Sequence, residues 1–244
     1  MRRYFSGDVA RSTLLLKLLP LSTVLFFGTL IVGANLYPRR YDWSQRVISH
    51  LISPRYNPDA YWIPALGMAL AAMAALPFAG YVARRLRPLT PRLARVAGVA
   101  FGVGFVLIVS VALPQHAQPT AAMKLVHEII ARGSVIAISI GMICCSVCAF
   151  KDRVRRFGGR RSLNSVLGFS WISITLLPVC VGSVSGAVKL GEQAELAWAT
   201  RFHEALRDTV LWRLAFWEWV GVVMLFVFLF LSVLLLPEEA GTSS

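Results

Sequence analysis

Charge is scarce in this chain. Of its 244 residues only 15% are Asp, Glu, Lys or Arg, well below the roughly 25% of an ordinary soluble domain. Acidic residues are the scarcest, 12 against 25 basic ones. There are only four cysteines and four histidines, and because all four cysteines fall inside apolar runs no disulfide framework can be inferred. There is no Gly-rich phosphate loop, no Gly-x-Ser-x-Gly elbow, no His-Glu-x-x-His pair and no Ser-His-Asp set at a recognisable spacing. These gaps remove the nucleotide-binding, α/β-hydrolase and zincin patterns. Apolar residues are what the chain has in excess, 57% of the total, with a mean hydropathy of +0.64. A chain this apolar cannot stay solvated as a disordered one. Its formal net charge of +13 does not point to nucleic acid, because the basic residues sit between long apolar runs, where they report topology.

A transmembrane helix needs about 20 apolar residues, at ~1.5 Å each across a ~30 Å hydrocarbon core. Six segments meet that length: about 15–36, 61–83, 96–113, 123–150, 165–188 and 214–236. The pattern predicts an all-α, polytopic membrane protein, a six-helix bundle forming one transmembrane domain over 1–244, in the cell (inner or plasma) membrane. Pro178 predicts a kink in the fifth span. The basic start followed by an apolar stretch resembles a secretory signal. That stretch is long and lacks a small-residue cleavage site, so it reads as a retained first helix.

Lys and Arg orient the bundle. Arg2, Arg3 and Arg11 precede the first span, Arg84, Arg85, Arg87, Arg92 and Arg95 follow the second, and Lys151, Arg153, Arg155, Arg156, Arg160 and Arg161 follow the fourth. The positive-inside rule then places both termini in the cytoplasm. The first outer loop, with Arg39, Arg40, Arg46 and Arg55, is the exception. Contact of the basic loops with anionic headgroups is the sharper alternative to topology alone. Gly98, Gly102 and Gly104, and Gly182 with Gly186, have spacings that bring helix backbones close. Cys144, Cys145, Cys148 and Cys180 all fall inside apolar runs and read as small buried hydrophobes.

With that orientation His50, His116, His127 and His203 all lie on the outer side, with eight acidic residues, Asp42, Asp59, Glu128, Glu192, Glu195, Glu204, Asp208 and Glu218. Arg132 lies eight residues beyond Lys124, about 12 Å deeper. A lone Arg at that depth costs about 2.5–3.5 kcal/mol, so it is expected to face the bundle interior and find a partner. Glu128, four residues earlier, is placed to pair with it. Glu218, between Trp217 and Trp219 with Trp212 nearby, reads as an interfacial anchor or an inward partner for Arg132 or His127. His50, His127 and His203 with a carboxylate would suit zinc if the helix ends cluster. Bis-histidine haem is disfavoured, because His50 and His203 fall in or beside loops.

The first outer loop reads Tyr41-Asp42-Trp43-Ser44-Gln45-Arg46-Val47-Ile48-Ser49-His50-Leu51-Ile52-Ser53, followed by Asn57-Pro58. It resembles a bacterial six-span membrane family of the DUF 998 type, itself similar to the eukaryotic FRAG/DRAM-like membrane proteins. Ile48-Ser49, Leu51, Asn57-Pro58, Pro114 and His127 follow the family pattern. His50 stands where the family carries an acid, and Glu218 resembles its acidic residue early in the last span. The resemblance implies six helices, an ordered first outer loop over the bundle mouth, and a link to membrane lipids. A fainter similarity is to the seven-span hydrolases that include alkaline ceramidases, built on Ser, Asp and three His around zinc; the His-x-x-x-His of their last helix is missing here.

Three functions are weighed. The first is a lipid-binding or lipid-remodelling protein whose outward polar pocket holds a headgroup through Ser49, His50, His127, Glu128, Arg132 and Glu218. The second is a zinc-dependent hydrolase of an outer-leaflet amide or ester, with His50, His127 and His203 as ligands and Glu128 or Glu204 as general base. The third is a small-solute transporter using Glu128–Arg132 as a polar relay, although no internal repeat supports it. Membrane lipids are the expected partner and nucleic acid is not.

Overall fold

The spans arise because apolar runs of this length satisfy their backbone hydrogen bonds internally only as helices. A computed structural model describes residues 7–38, 40–113, 120–156, 190–207 and 209–236, with positions 177, 180, 184, 187 and 188. Regular structure among them is entirely helical. Five helices are long and apolar enough to cross a membrane: α1 (Arg11–Asn35), α3 (Trp62–Leu86), α4 (Pro91–Ala112), α5 (Ala121–Arg156, spanning over Ala121–Cys148) and α7 (Leu214–Leu235). Two shorter helices, α2 (Ile48–Leu51) and α6 (Ala197–Leu206), lie in the connections before α3 and α7. The chain is thus a multi-pass membrane protein. Most of the expected fifth span at 165–188, with Pro178, Gly182 and Gly186, lies outside the described residues, as do His116 and Asp208.

The helices run past the apolar windows read from the sequence. α1 begins at Arg11, α4 at Pro91, and α5 continues to Arg156. Long basic side chains extend from the helix ends to water, so the helix need not stop where the apolar run does. Pro91 stands at the first turn of α4, where its missing N–H costs nothing. Pro77 breaks α3 into Trp62–Ala75 and Pro77–Leu86, an interruption the hydropathy pattern does not register.

Chain order is packing order: α1 lies on α3, α3 on α4, α4 on α5, and α7 returns against α1. The α4–α5 contact is the most extensive. Small residues let α4 approach both α3 and α5 closely. A Cβ at Gly98 would lie 2.6 Å from the Ala83 Cβ and 2.9 Å from the Ala79 carbonyl oxygen on α3. A Cβ at Gly141 of α5 would lie 2.9 Å from the Phe101 ring. Gly102 makes only ordinary contact. Ser22 of α1 donates to the Ala71 carbonyl of α3 at 2.8 Å, a buried polar link where lipid offers no alternative partner.

Two apolar clusters fill the bundle. The larger centres on Phe78, Tyr81, Phe101, Met142, Cys145, Phe228 and Val233. Phe101 meets Phe78 edge-on at 5.1 Å and Phe228 at 6.0 Å, tying α3, α4 and α7 together. Cys145 and Cys148 are buried here, as the sequence implied, and the Cys148 sulfur lies 2.8 Å from the Thr90 hydroxyl; Cys180 is instead exposed. The end of the bundle near Thr90 also holds Asp8, paired with Arg84 at 2.8 Å, and Arg11, bonded to the Leu234 carbonyl. The smaller cluster, with Phe26, Leu30, Tyr37, Tyr41, Ile48, Leu51 and Phe226, closes the opposite end.

Candidate functional site: a strap over the start of α7

Residues 37–57 do not trail into solvent. They fold back as a strap over the first turns of α7, because the chain between α1 and α3 carries its own apolar anchors. Tyr41, Ile48, Leu51 and Ile52 are buried. Asp42 opens the strap with a side-chain turn, accepting the Ser44 N–H at 2.9 Å and the Ser44 hydroxyl at 2.7 Å. Those bonds hold the Asp42 carboxyl below its ordinary range. The Tyr41 hydroxyl lies 2.8 Å from the Arg46 carbonyl and 2.9 Å from the Val47 carbonyl. Burial, and then the negative charge of Glu218, push its pKa upward, so it remains a neutral donor.

The link to α7 is Glu218. Its Oε2 accepts the Ile48 backbone N–H at 2.6 Å. Ile48 is the first residue of α2, and Val47 before it offers no capping side chain. A carboxylate 170 residues away therefore does the work of an N-cap. Trp43 packs edge-on against Trp219, with centroids 4.8 Å apart, and Arg213 donates to the Ser44 hydroxyl at 3.3 Å. Arg46 donates to the Tyr37 hydroxyl at 2.8 Å while its guanidinium sits 5.2 Å over the same ring.

At the far end of the strap Asn57 is fully buried, and its amide donates to the Leu51 carbonyl at 3.0 Å. His50 faces the Tyr56 ring at 4.2 Å. The His50 Nδ1 and the Asn57 Oδ1 are buried without a hydrogen-bond partner among the described residues. Burial, and then the nearby Arg46 charge, hold the His50 imidazole below its ordinary value of 6.5. In the unfolded chain the same imidazole protonates first, so strap stability should be complete above about pH 6.5 and fall as the pH drops below it. Amide exchange in residues 48–57, corrected for intrinsic rates, should report this loss as the pH falls below about 6.5. Replacement His50→Gln should abolish it, and a flat wild-type profile would contradict it.

Of the residues the sequence nominated, Ser49 and His50 lie on α2, the helix whose first N–H Glu218 accepts. The others lie elsewhere. His127, Glu128 and Arg132 lie on α5, where Arg132 bonds Glu128 at 3.1 Å, the pairing their spacing implied. The pair does not turn inward, however: the Arg132 side chain is 77% exposed and that of Glu128 is 59%. The inner face of α5 is taken by Ile138, Met142 and Cys145 of the core cluster and by Gly141, which lies against Phe101 of α4. Arg132 precedes Ile138 by six positions, about 240° around the helix, and so faces away. Glu218 pairs with neither Arg132 nor His127. His203 of α6 bonds Glu192 and stacks on Trp212 at 5.3 Å, while Glu204 is exposed. No group of three His, Cys, Asp or Glu side chains able to hold a metal occurs among the described residues. His50, His127 and His203 therefore do not form the zinc centre that their number allowed.

No protein-family model, curated protein or solved structure matches this chain. The strap's chemistry rests on its own geometry. Tyr37, Tyr41, Arg46, Asn57 and Arg213 are the members that the sequence reading passed over or left without a role. The repeated aromatic and basic residues after the first span, Tyr37, Tyr41, Trp43 and Arg46, were the available signal.

Proposed function

We propose that this protein is a six-span bundle of the cell membrane, with both termini cytoplasmic, that binds the headgroup of a membrane phospholipid at its extracytoplasmic end. The basic residues around α1, α3 and α5 support the orientation. Chain parity supports the sixth crossing. Cys148 lies beside Thr90 at one end of the bundle, and Glu218 lies on the strap at the other. The chain must return between those points, and the apolar stretch at 165–188 has the length to do so. The likeness to the bacterial six-span family agrees with this arrangement.

The observation that carries the lipid reading is Arg46. Its guanidinium is half-buried in an aromatic collar and hydrogen-bonded to a neutral phenol, not to a carboxylate. A planar cation so held keeps its charge and its remaining donors for an anionic oxygen, and a phosphate is the anion a guanidinium fork matches best. Arg213, just before α7 and bonded to Ser44, is a second cation beside the strap. Neither the hydrolase nor the transporter reading gains such an observation, since the three imidazoles stand apart and the Glu128–Arg132 pair lies outside the strap.

The test is phospholipid retained through purification in mild detergent, measured by mass spectrometry. A charge-assisted hydrogen bond of about 1.5–3 kcal/mol corresponds to a loss of roughly tenfold or more in Arg46→Ala. Arg46→Lys should keep the charge and recover part of the binding. Equal lipid content in wild type and Arg46→Ala would remove the reading.

A further inference from the structure

The outward turn of α5 creates a surface with two coupled features. Leu125, Ile129, Arg132, Ile136, Ile140 and Ile143 are all exposed. Their spacings of four, three, four, four and three residues align them in one stripe along the helix. Arg132 lies within that stripe and Glu128 flanks it. Arg132 is eleven residues into the Ala121–Cys148 span, about 16 Å along the axis and close to the middle. An apolar stripe alone would be at home against lipid. An exposed ion pair at that depth is not, because acyl chains offer neither charge nor hydrogen bonds.

We propose that this face of α5 is a self-association surface, and that its occupant is the α5 of a second copy of this chain. The argument is charge complementarity. The face carries one acid and one base a single turn apart, so it is complementary to itself. A two-fold axis along the membrane normal sets two α5 helices side by side and parallel, with equal residues at equal depth. Each Arg132 then stands next to the partner subunit's Glu128 as well as its own, and four charges close into a neutral network shielded from lipid. The isoleucines above and below supply van der Waals packing along the seam, the main source of affinity between helices in a bilayer. The opposite face of α5 is engaged with α4, so pairing requires no rearrangement of the bundle. This inference does not depend on lipid binding at the strap.

The test exploits the network's sign. Glu128→Arg leaves a chain with two bases at the seam, and Arg132→Glu leaves one with two acids. Full-length protein is reconstituted in nanodiscs or mild detergent and its mass state read by native mass spectrometry. Wild type is expected to be dimeric, each variant alone to lose at least tenfold in dimer fraction, and their equimolar mixture to recover a mixed dimer. A charge network confined to one chain could not be restored by mixing. Because a charge-reversed helix can fail to insert, Ile129→Cys in a Cys180→Ser background is the second arm, with oxidation expected to yield a disulfide-linked dimer. The proposal is overturned by monomeric wild type, by variants that dimerise as well as wild type, by a mixture that stays monomeric although both variants fold, or by no crosslink at position 129. Monomers that carry a lipid bound at the Glu128–Arg132 face, or whose own 165–188 segment crosslinks to position 129, would identify the other occupants and equally overturn it.

Discussion

Replacing Glu218 with alanine should release the strap from α7 while leaving the transmembrane bundle assembled. The Ile48 N–H would lose its acceptor in a buried position, and an orphaned donor of that kind costs about 1–3 kcal/mol. The loss should be local. α1, α3, α4 and α5 are held by contacts that do not pass through the strap, whereas the strap's other ties to α7 are the Trp43–Trp219 contact, the Arg213–Ser44 bond and the packing of Tyr41, Ile48 and Leu51 in one apolar cluster with Phe226. Exchange of the Ile48 amide is therefore expected to accelerate roughly 5- to 150-fold, with helical amides in α4 unchanged. Glu218→Gln keeps an acceptor oxygen and should recover most of the protection. Unaltered exchange at Ile48 in the alanine variant would mean that the apolar anchors alone hold the strap. If the strap is where phospholipid binds, retained lipid should fall together with protection.

Phe101→Ala should cost the bundle about 2–3 kcal/mol. In a soluble core this truncation costs about 3–5 kcal/mol, part of which is the transfer of the ring out of water. Here the ring leaves one apolar medium for another, so the transfer part largely disappears. What remains is the cavity: atoms of the surrounding helices face an empty space and forfeit the dispersion attraction the ring supplied. The ring touches Phe78 of α3 and Phe228 of α7, and Gly141 of α5 approaches it closely. Unfolding in detergent or by steric trapping in bicelles should show the loss. Phe101→Leu should cost less than half as much. A loss below about 1 kcal/mol would mean that the helices collapse onto the vacated space, as loosely packed sites do.

Much of the architecture was legible because the bilayer imposes one length on every crossing. Any run of about 20 apolar residues must become a helix there, whatever it later touches. Local geometry was legible on the same terms: Glu128 and Arg132, four residues apart, meet because the helix repeat brings them together. Gly98 was marked as a close-approach position by its spacing, and α3 does lie against it. The expectation that Arg132 faces inward failed because energetic cost was used to choose a direction. The direction belongs to whichever face packs best against α4, and Gly141, on the far side of α5 from Arg132, is what allows the close approach of the Phe101 ring.

The sequence by itself determined that the chain is a helical membrane protein, roughly where its crossings lie, and which polar side chains share a helix turn. These follow from hydrophobic length and helical periodicity, both properties of neighbouring residues. Only the tertiary structure decided that Glu218 caps a helix 170 residues earlier, that Tyr37 and Arg46 close around each other, and that His50, His127 and His203 stay apart. Each depends on how separate helices rotate and slide against one another. The group that gives Glu218 its role is also a backbone N–H, which every residue but proline carries and no side-chain pattern can reveal.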